Sequence, residues 1–115
     1  MPKEKLPAYV RHFISQHVSS IEQLDILAFL LSTPEGELTP ASVYKVVRSN
    51  LVSIERGLEH FANIGLLQRI STAPVAYRST LTQEMRTLLE DTCRYHKTMP
   101  VRVIEAVHAI EWKLR

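Results

Sequence analysis

The side chains best suited to chemistry in this chain are cations and amides gathered between residues 45 and 78. Lys45, Arg48, Arg56, Arg69 and Arg78 stand there against only Glu55 and Glu59, although the whole chain carries a formal net charge of just +2. Residues 1–39 run a deficit of two and residues 81–115 an excess of one, so the positive charge concentrates in the middle. Ser49, Asn50, Ser53 and His60 add hydrogen-bonding groups to the same stretch. Guanidinium and ammonium groups pair with phosphate oxygens, and an arginine can also bond bidentately to a guanine edge. Amides and hydroxyls bond to either. Each of these residues also has a plainer reading as a solvated group on an amphipathic helix. Glu55 and Glu59 would repel phosphate, and their expected role is to pair with Arg56 or Arg48.

Other chemistry finds little support. His12 and His17 are five residues apart and do not share a helix face, while His60, His96 and His108 are scattered. One cysteine, Cys93, cannot build a thiolate cluster, so no metal and no cofactor are expected. With Arg94 beside it and Lys97 one turn on, Cys93 is either a redox-sensing thiolate or an inert, partly buried helix residue. No glycine-rich phosphate loop, nucleophile elbow or spaced carboxylate pair is recognisable, and no enzymatic activity is expected.

The elements that must position the cations can be read from local signals. Thr39 caps a helix with Pro40 at its first position, and Val43, Tyr44 and Val47 form its expected buried face. Arg48, Ser49 and Asn50 make a turn, and Ser49 or Asn50 caps a second helix over about residues 51–64. Leu51, Ile54, Leu58 and Phe61 fall on its apolar side. Gly65 stops it, since glycine takes the left-handed conformation that a helix end often needs. Residues 66–70 and 75–79 read as strands around Ser71-Thr72-Ala73-Pro74, with Tyr77 as hairpin packing, and residues 38–39 as a short edge strand.

Before this unit, residues 6–18 form a helix striped by Tyr9, Val10, Phe13, Ile14 and Val18. Ser19 or Ser20 caps the next, with Glu22 or Gln23 closing a capping box. That helix presents Ile21, Leu24, Leu27, Ala28 and Leu31, with Ile26, Phe29 and Leu30 widening the stripe. Thr82 starts a later helix carrying Met85, Leu88, Leu89 and Thr92 on one side. Pro100 opens a last one, about residues 100–115, where Val103, Val107, Ile110 and Leu114 recur as a heptad-like seam. Val101, Ile104 and Trp112 lie off that seam. Together with Tyr9 and Phe13, the seam is expected to form a dimer interface. Packing of the last helix on the first within one chain is the competing reading.

A chain of 115 residues with 45% hydrophobic and 23% charged composition fits a single domain over residues 1–115. The apolar run at residues 26–31 is far too short to span a membrane. The first five residues lack the hydrophobic core of a secretion signal, and a lone cysteine fits a reducing cytoplasm.

Residues 51–82 resemble the winged helix-turn-helix of MarR-type bacterial transcriptional regulators. The likeness rests on Ile54-Glu55-Arg56-Gly57-Leu58 as the recognition-helix run and on Gly65-Leu66-Leu67-Gln68-Arg69 as the helix end and first wing strand. Tyr77-Arg78-Ser79-Thr80-Leu81-Thr82 resembles the second wing strand passing into the next helix. Order and spacing extend it over about residues 20–94. The chain departs from the family in its uncharged wing tip, residues 71–75, and in Glu55 beside Arg56. The resemblance implies a mainly α fold with a small β-hairpin, a winged helix-turn-helix flanked by N- and C-terminal helices. It further implies a sequence-specific regulator of transcription that binds double-stranded DNA as a homodimer. The contacts would come from Lys45, Arg48, Ser49, Asn50, Ser53, Arg56, His60, Arg69 and Arg78. A winged helix used as a protein–protein adaptor is the alternative, which near-neutral charge and the uncharged wing favour. A small-molecule effector held between the domain and its terminal helices is compatible with the first reading.

Overall fold

The computed structural model describes residues 5–33 and 36–109. Those residues form a mainly helical fold with one three-stranded antiparallel sheet. Helix α1 spans Ala8–His17 and begins after Pro7, which sits just outside the first turn. Helix α2, Ile21–Ser32, is capped by Ser20, whose Oγ accepts from the Gln23 amide at 3.2 Å. Gln23 returns the bond, its Oε1 accepting from the Ser19 amide at 2.8 Å. The reciprocal box therefore closes one residue outside the cap. Leu24, Ile26, Leu27 and Leu30 are buried on α2 and Ala28 is exposed, which corrects the expected stripe. Ile26 and Leu30, four apart, pull the buried face away from Ala28.

Strand β1 is Glu37–Leu38, followed by helix α3, Pro40–Tyr44. A full capping box starts α3: the Thr39 hydroxyl accepts from the Ser42 amide at 3.1 Å and the Ser42 hydroxyl from the Thr39 amide at 3.0 Å. Pro40, Val43 and Val47 are buried, but Tyr44 is exposed, because positions three and four apart share the inward side and Tyr44 lies about 100° round from Val43. Helix α4, Leu51–Asn63, is capped by Asn50, whose Oδ1 accepts from the Ser53 amide at 3.1 Å. Ile54, Leu58 and Phe61 are wholly buried. Leu51 is exposed, against expectation. The helix crosses α2 at Gly57, where a Cβ would stand 3.0 Å from Ile26 Cδ1. Leu51 lies six residues, about 9 Å, towards the N-terminal end of the helix, away from that crossing.

The end of α4 is a Schellman motif. The Leu66 amide donates to the Phe61 carbonyl at 2.9 Å and the Gly65 amide to the Ala62 carbonyl at 3.2 Å, while Gly65 takes φ 90°. Both Phe61 and Leu66 are buried, supplying the apolar contact that accompanies this stop. Strand β2, Leu67–Thr72, then pairs with β3, Val75–Ser79, and β3 with β1, giving the order β1-β3-β2. The register places Leu67 opposite Ser79 and Arg69 opposite Tyr77, then shifts so that Ser71 faces Ala76. Ile70 is the extra residue of a bulge. Strand β2 runs to Thr72, so the hairpin tip shrinks to Ala73-Pro74.

Helix α5, Gln83–Thr98, is capped by the Thr82 hydroxyl, and α6, Pro100–Val107, follows it directly. Val103 and Val107 are buried in the same core as Val10, Phe13 and Ile14 of α1. The apolar seam of the last helix is thus occupied within one chain as far as residue 107, and Phe13, Val103 and Val107 are not available to a partner in this fold. Ile110 and Leu114 lie outside the described residues. Among the described members of the expected set only Tyr9 is open, 53% exposed, its hydroxyl donating to Asp91 Oδ2 at 2.7 Å. No helix among the described residues is long and apolar enough to cross a membrane.

Nothing lies within 4 Å of a Cβ added at Gly65, so a side chain there costs backbone energy alone. Gly65→Val should lower the unfolding free energy in urea by about 1–2 kcal/mol, and Gly65→Asn by less, since Asn tolerates the left-handed region better than a β-branched residue. Equal losses for the two would show that the left-handed angle is not what Gly65 supplies.

Candidate nucleic-acid interface

Helix α3, the turn at residues 45–50 and helix α4 hold most of the cations and amides that the sequence singles out. Lys45, Arg48, Ser53 and Arg56 are all exposed. Opposite the buried face of α4 runs an outward stripe of Val52, Arg56, Glu59 and Asn63, at spacings of four, three and four. Arg56 therefore stands near the middle of the helix face turned furthest from the core. No ion pair involves Lys45, Arg48, Arg56 or Arg78 among the described residues.

Three of the expected polar contacts are engaged inside the chain. The Ser49 hydroxyl donates to the Glu22 carboxylate, fastening the turn to α2. Asn50 spends its carbonyl oxygen on the cap of α4 and keeps its amide nitrogen to donate to outside acceptors. His60 is corrected outright. It is half-buried, its Nε2 lies 2.7 Å from the His17 carbonyl, and the two rings are 6.4 Å apart. The ring fastens α4 to the end of α1 and does not join the outward stripe. Burial, with the neighbouring His60 and His12 adding to it, holds the His17 pKa below the usual histidine value.

The two hairpin arginines part company. Arg69 sits opposite Tyr77 and its guanidinium lies 5.8 Å from that ring's centroid, on the side of the sheet that meets α4. There it pairs with Glu59 at 3.6 Å. Tyr77 above all raises the pKa of this guanidinium above its ordinary value, with Glu59 adding to it and desolvation opposing. Glu59 thus pairs with Arg69, where the sequence pointed to Arg48 or Arg56. Arg78 faces the other way, exposed, with Gln68 and Glu37 as its cross-strand neighbours. Adjacent strand residues alternate faces, so a cation aligned with Tyr77 cannot share a surface with Arg78.

Apolar exposure at the same place went unnoticed in the sequence. Tyr44, Val46, Leu51 and Val52 are four of the seven large hydrophobic side chains exposed among the described residues. The signal for Val52 was available, since it stands four residues before Arg56.

Among the grooves with the volume of a small-molecule site are the following two. One, about 610 Å³, lies between α2 and the turn, with Asp25, Phe29, Val46 and Arg48 among its walls. The other, about 420 Å³, lies where the chain entering α1 meets α6 and is lined by Lys5, Arg11 and Arg102. Among the described residues no group of three or more His, Cys, Asp and Glu could hold a metal ion.

Cys93 is not an activated thiolate. Arg94 turns to Asp91 at 3.1 Å and covers the Tyr95 ring, and burial pushes the Cys93 thiol up to about 11, with Lys97 opposing only in part. Because folding raises this pKa above its ordinary value of 9.0, the unfolded chain ionises first and stability should fall as pH climbs from 9 to about 11. Iodoacetamide alkylation of the folded protein should accordingly reach half its maximal rate near pH 11, as followed by mass spectrometry. A midpoint at or below pH 8 would restore the redox reading. No known family, curated protein or solved structure matches the chain.

Proposed function

We propose that the chain is a winged helix-turn-helix of the MarR-like kind, binding double-stranded DNA as a regulator of transcription in the cytoplasm. The observation that carries this reading is the outward stripe of α4 with Arg56 on it, on a helix whose start is capped and whose end is locked. Such a helix enters the major groove by its N-terminal part. Lys45 and Arg48 on the approach to it are placed for phosphates, and Arg78 extends the contact from the wing. Arg69, bound by Glu59 and Tyr77, serves the wing's packing before it serves DNA.

A second reading has its own observation. Tyr44 at the end of α3, Val46 in the turn, and Leu51 and Val52 at the start of α4 are exposed apolar side chains, which suit a protein surface as well as a groove. Fluorescence anisotropy on labelled duplexes separates the two. DNA binding through four cations should weaken with salt at a slope of about −3 to −4 in log affinity against log salt. Arg56→Ala should cost about 1–3 kcal/mol if it reads a base. Glu59→Gln removes a negative charge from the stripe and releases Arg69, so it should tighten binding and steepen the slope. No duplex binding at low salt would favour the adaptor.

Homodimerisation belongs to the same proposal, since two-fold pairing would present two α4 helices to a palindromic site. With the α6 seam occupied internally, pairing must use the outer faces, where Tyr9, Val101 and Ile104 are exposed. Val101→Glu with Ile104→Glu should convert a dimer to a folded monomer in sedimentation equilibrium. A wild-type protein monomeric at tens of micromolar would remove the dimer.

A further inference from the structure

Three cations line the groove where the chain entering α1 meets α6. Lys5 stands just ahead of α1, Arg11 is on α1 itself, and Arg102 is in the first turn of α6. Leu6 and Ala106, both buried, supply the apolar part of the lining, and Glu105 is its acid. The groove holds about 420 Å³, room for a small organic molecule. Lys5 and Arg11 enter no ion pair among the described residues. Arg102 gives Glu105 a single nitrogen, Nη1, at 3.3 Å from both carboxylate oxygens. The other two nitrogens of that guanidinium lie outside the pair and keep their N–H donors. Packing does not account for this gathering. The first turn of α6 has no acidic residue and carries Arg102 instead, at the helix end where the backbone dipole disfavours a cation. Like charges around one groove repel one another, and an anion between them would remove that cost.

We propose that this groove binds a small organic phosphate, with the phosphate held by Lys5, Arg11 and Arg102 and the organic group set against Leu6 and Ala106. Charge selects the class of ligand. Three cations against Glu105 leave the groove a net +2. A phosphate monoester, at about −1.5 to −2 near neutral pH, matches that charge, and a monocarboxylate does not. Arginine also suits phosphate by geometry, since its planar fork offers paired N–H groups to the oxygens. A bound phosphate ties the segment ahead of α1 to α6. The site uses none of the residues assigned to DNA and stands whether or not a duplex is bound.

Isothermal titration calorimetry of the full chain with phenyl phosphate, in low-salt buffer free of phosphate, tests the assignment. Affinity should fall about fivefold in each of Lys5→Gln, Arg11→Gln and Arg102→Gln, as one charged hydrogen bond is lost at an exposed site. Lys97→Gln, which removes an exposed cation of α5 that does not line the groove, should leave affinity unchanged. Glu105→Gln should tighten binding about threefold, because it removes a competing carboxylate and frees Arg102. That gain cannot arise from misfolding, so it decides the matter even if a groove variant fails to fold. Benzoate, with the same ring and a single charge, should bind about tenfold more weakly. No binding of phenyl phosphate at millimolar concentration would overturn the proposal, and so would a loss or no change in Glu105→Gln. An equal loss in Lys97→Gln would reduce the binding to general surface charge. Benzoate binding as tightly as the ester would overturn the phosphate assignment. Displacement of phenyl phosphate by duplex DNA, with the three groove variants losing DNA affinity, would assign the groove to a nucleic-acid backbone instead.

Discussion

The close crossing of α4 over α2 at Gly57 is the constraint on which the candidate surface depends. A Cβ at that point would press on Ile26 at 3.0 Å, so the missing side chain lets the two helices approach. That approach fixes which side of α4 is buried, with Ile54, Leu58 and Phe61 on the inner face, and so fixes the outward stripe opposite them. It also places Glu59 beside the hairpin, where Arg69 meets it. Rotation of α4 by a single residue would carry Arg56 about 100° round the helix.

Further links hold the helix from both ends. At its head, Asn50 closes the first turn, and Ser49 one residue earlier reaches Glu22 on α2. Towards its tail, His60 bonds the end of α1, and the Schellman stop turns the chain into β2. The terminal helices close on each other at the far side of the core, with Val10, Phe13 and Ile14 buried in the same cluster as Val103 and Val107. The apolar faces at both ends of the chain thereby have an intrachain explanation. A surface for another molecule must be sought among side chains that remain outside, such as Tyr9, Val101 and Ile104.

What was legible in the sequence was mostly local. Thr39 with Pro40, Asn50, Gly65 and Thr82 each act through bonds spanning a few residues, and each stands where its residue type demands. The edge strand at Leu38 and the hairpin were legible for the same reason. Misreadings fell where a side chain's fate depends on a distant partner. His60 looked solvent-facing on α4 and is taken by a carbonyl forty-three residues earlier. Glu59 looked like a partner for Arg48 or Arg56 and meets Arg69 of the hairpin instead. Tyr44 and Leu51 have the hydrophobicity of core residues but stand beyond the point where neighbouring elements cover them. For Arg69 and Arg78, the alternation of a strand was enough to separate their faces, provided the pairing register was known.

That register bears on how the hairpin can change length. Between residues 67 and 69 each position of β2 faces one fixed position of β3, and the bulge at Ile70 absorbs a single extra residue before the tip. A deletion at Ile70 would let the outer ladder rejoin the inner one without disturbing the pairing of Arg69 with Tyr77. Deleting one residue from the inner part of β3 would exchange the two faces, turning a cation towards the core and a tyrosine outward. Length variation in this element should therefore accumulate at the outer end, beyond residue 69, while the inner rungs keep their number. The bulge acts as an expansion joint, and a longer or more basic tip could be grafted there while the face that meets α4 stays as it is.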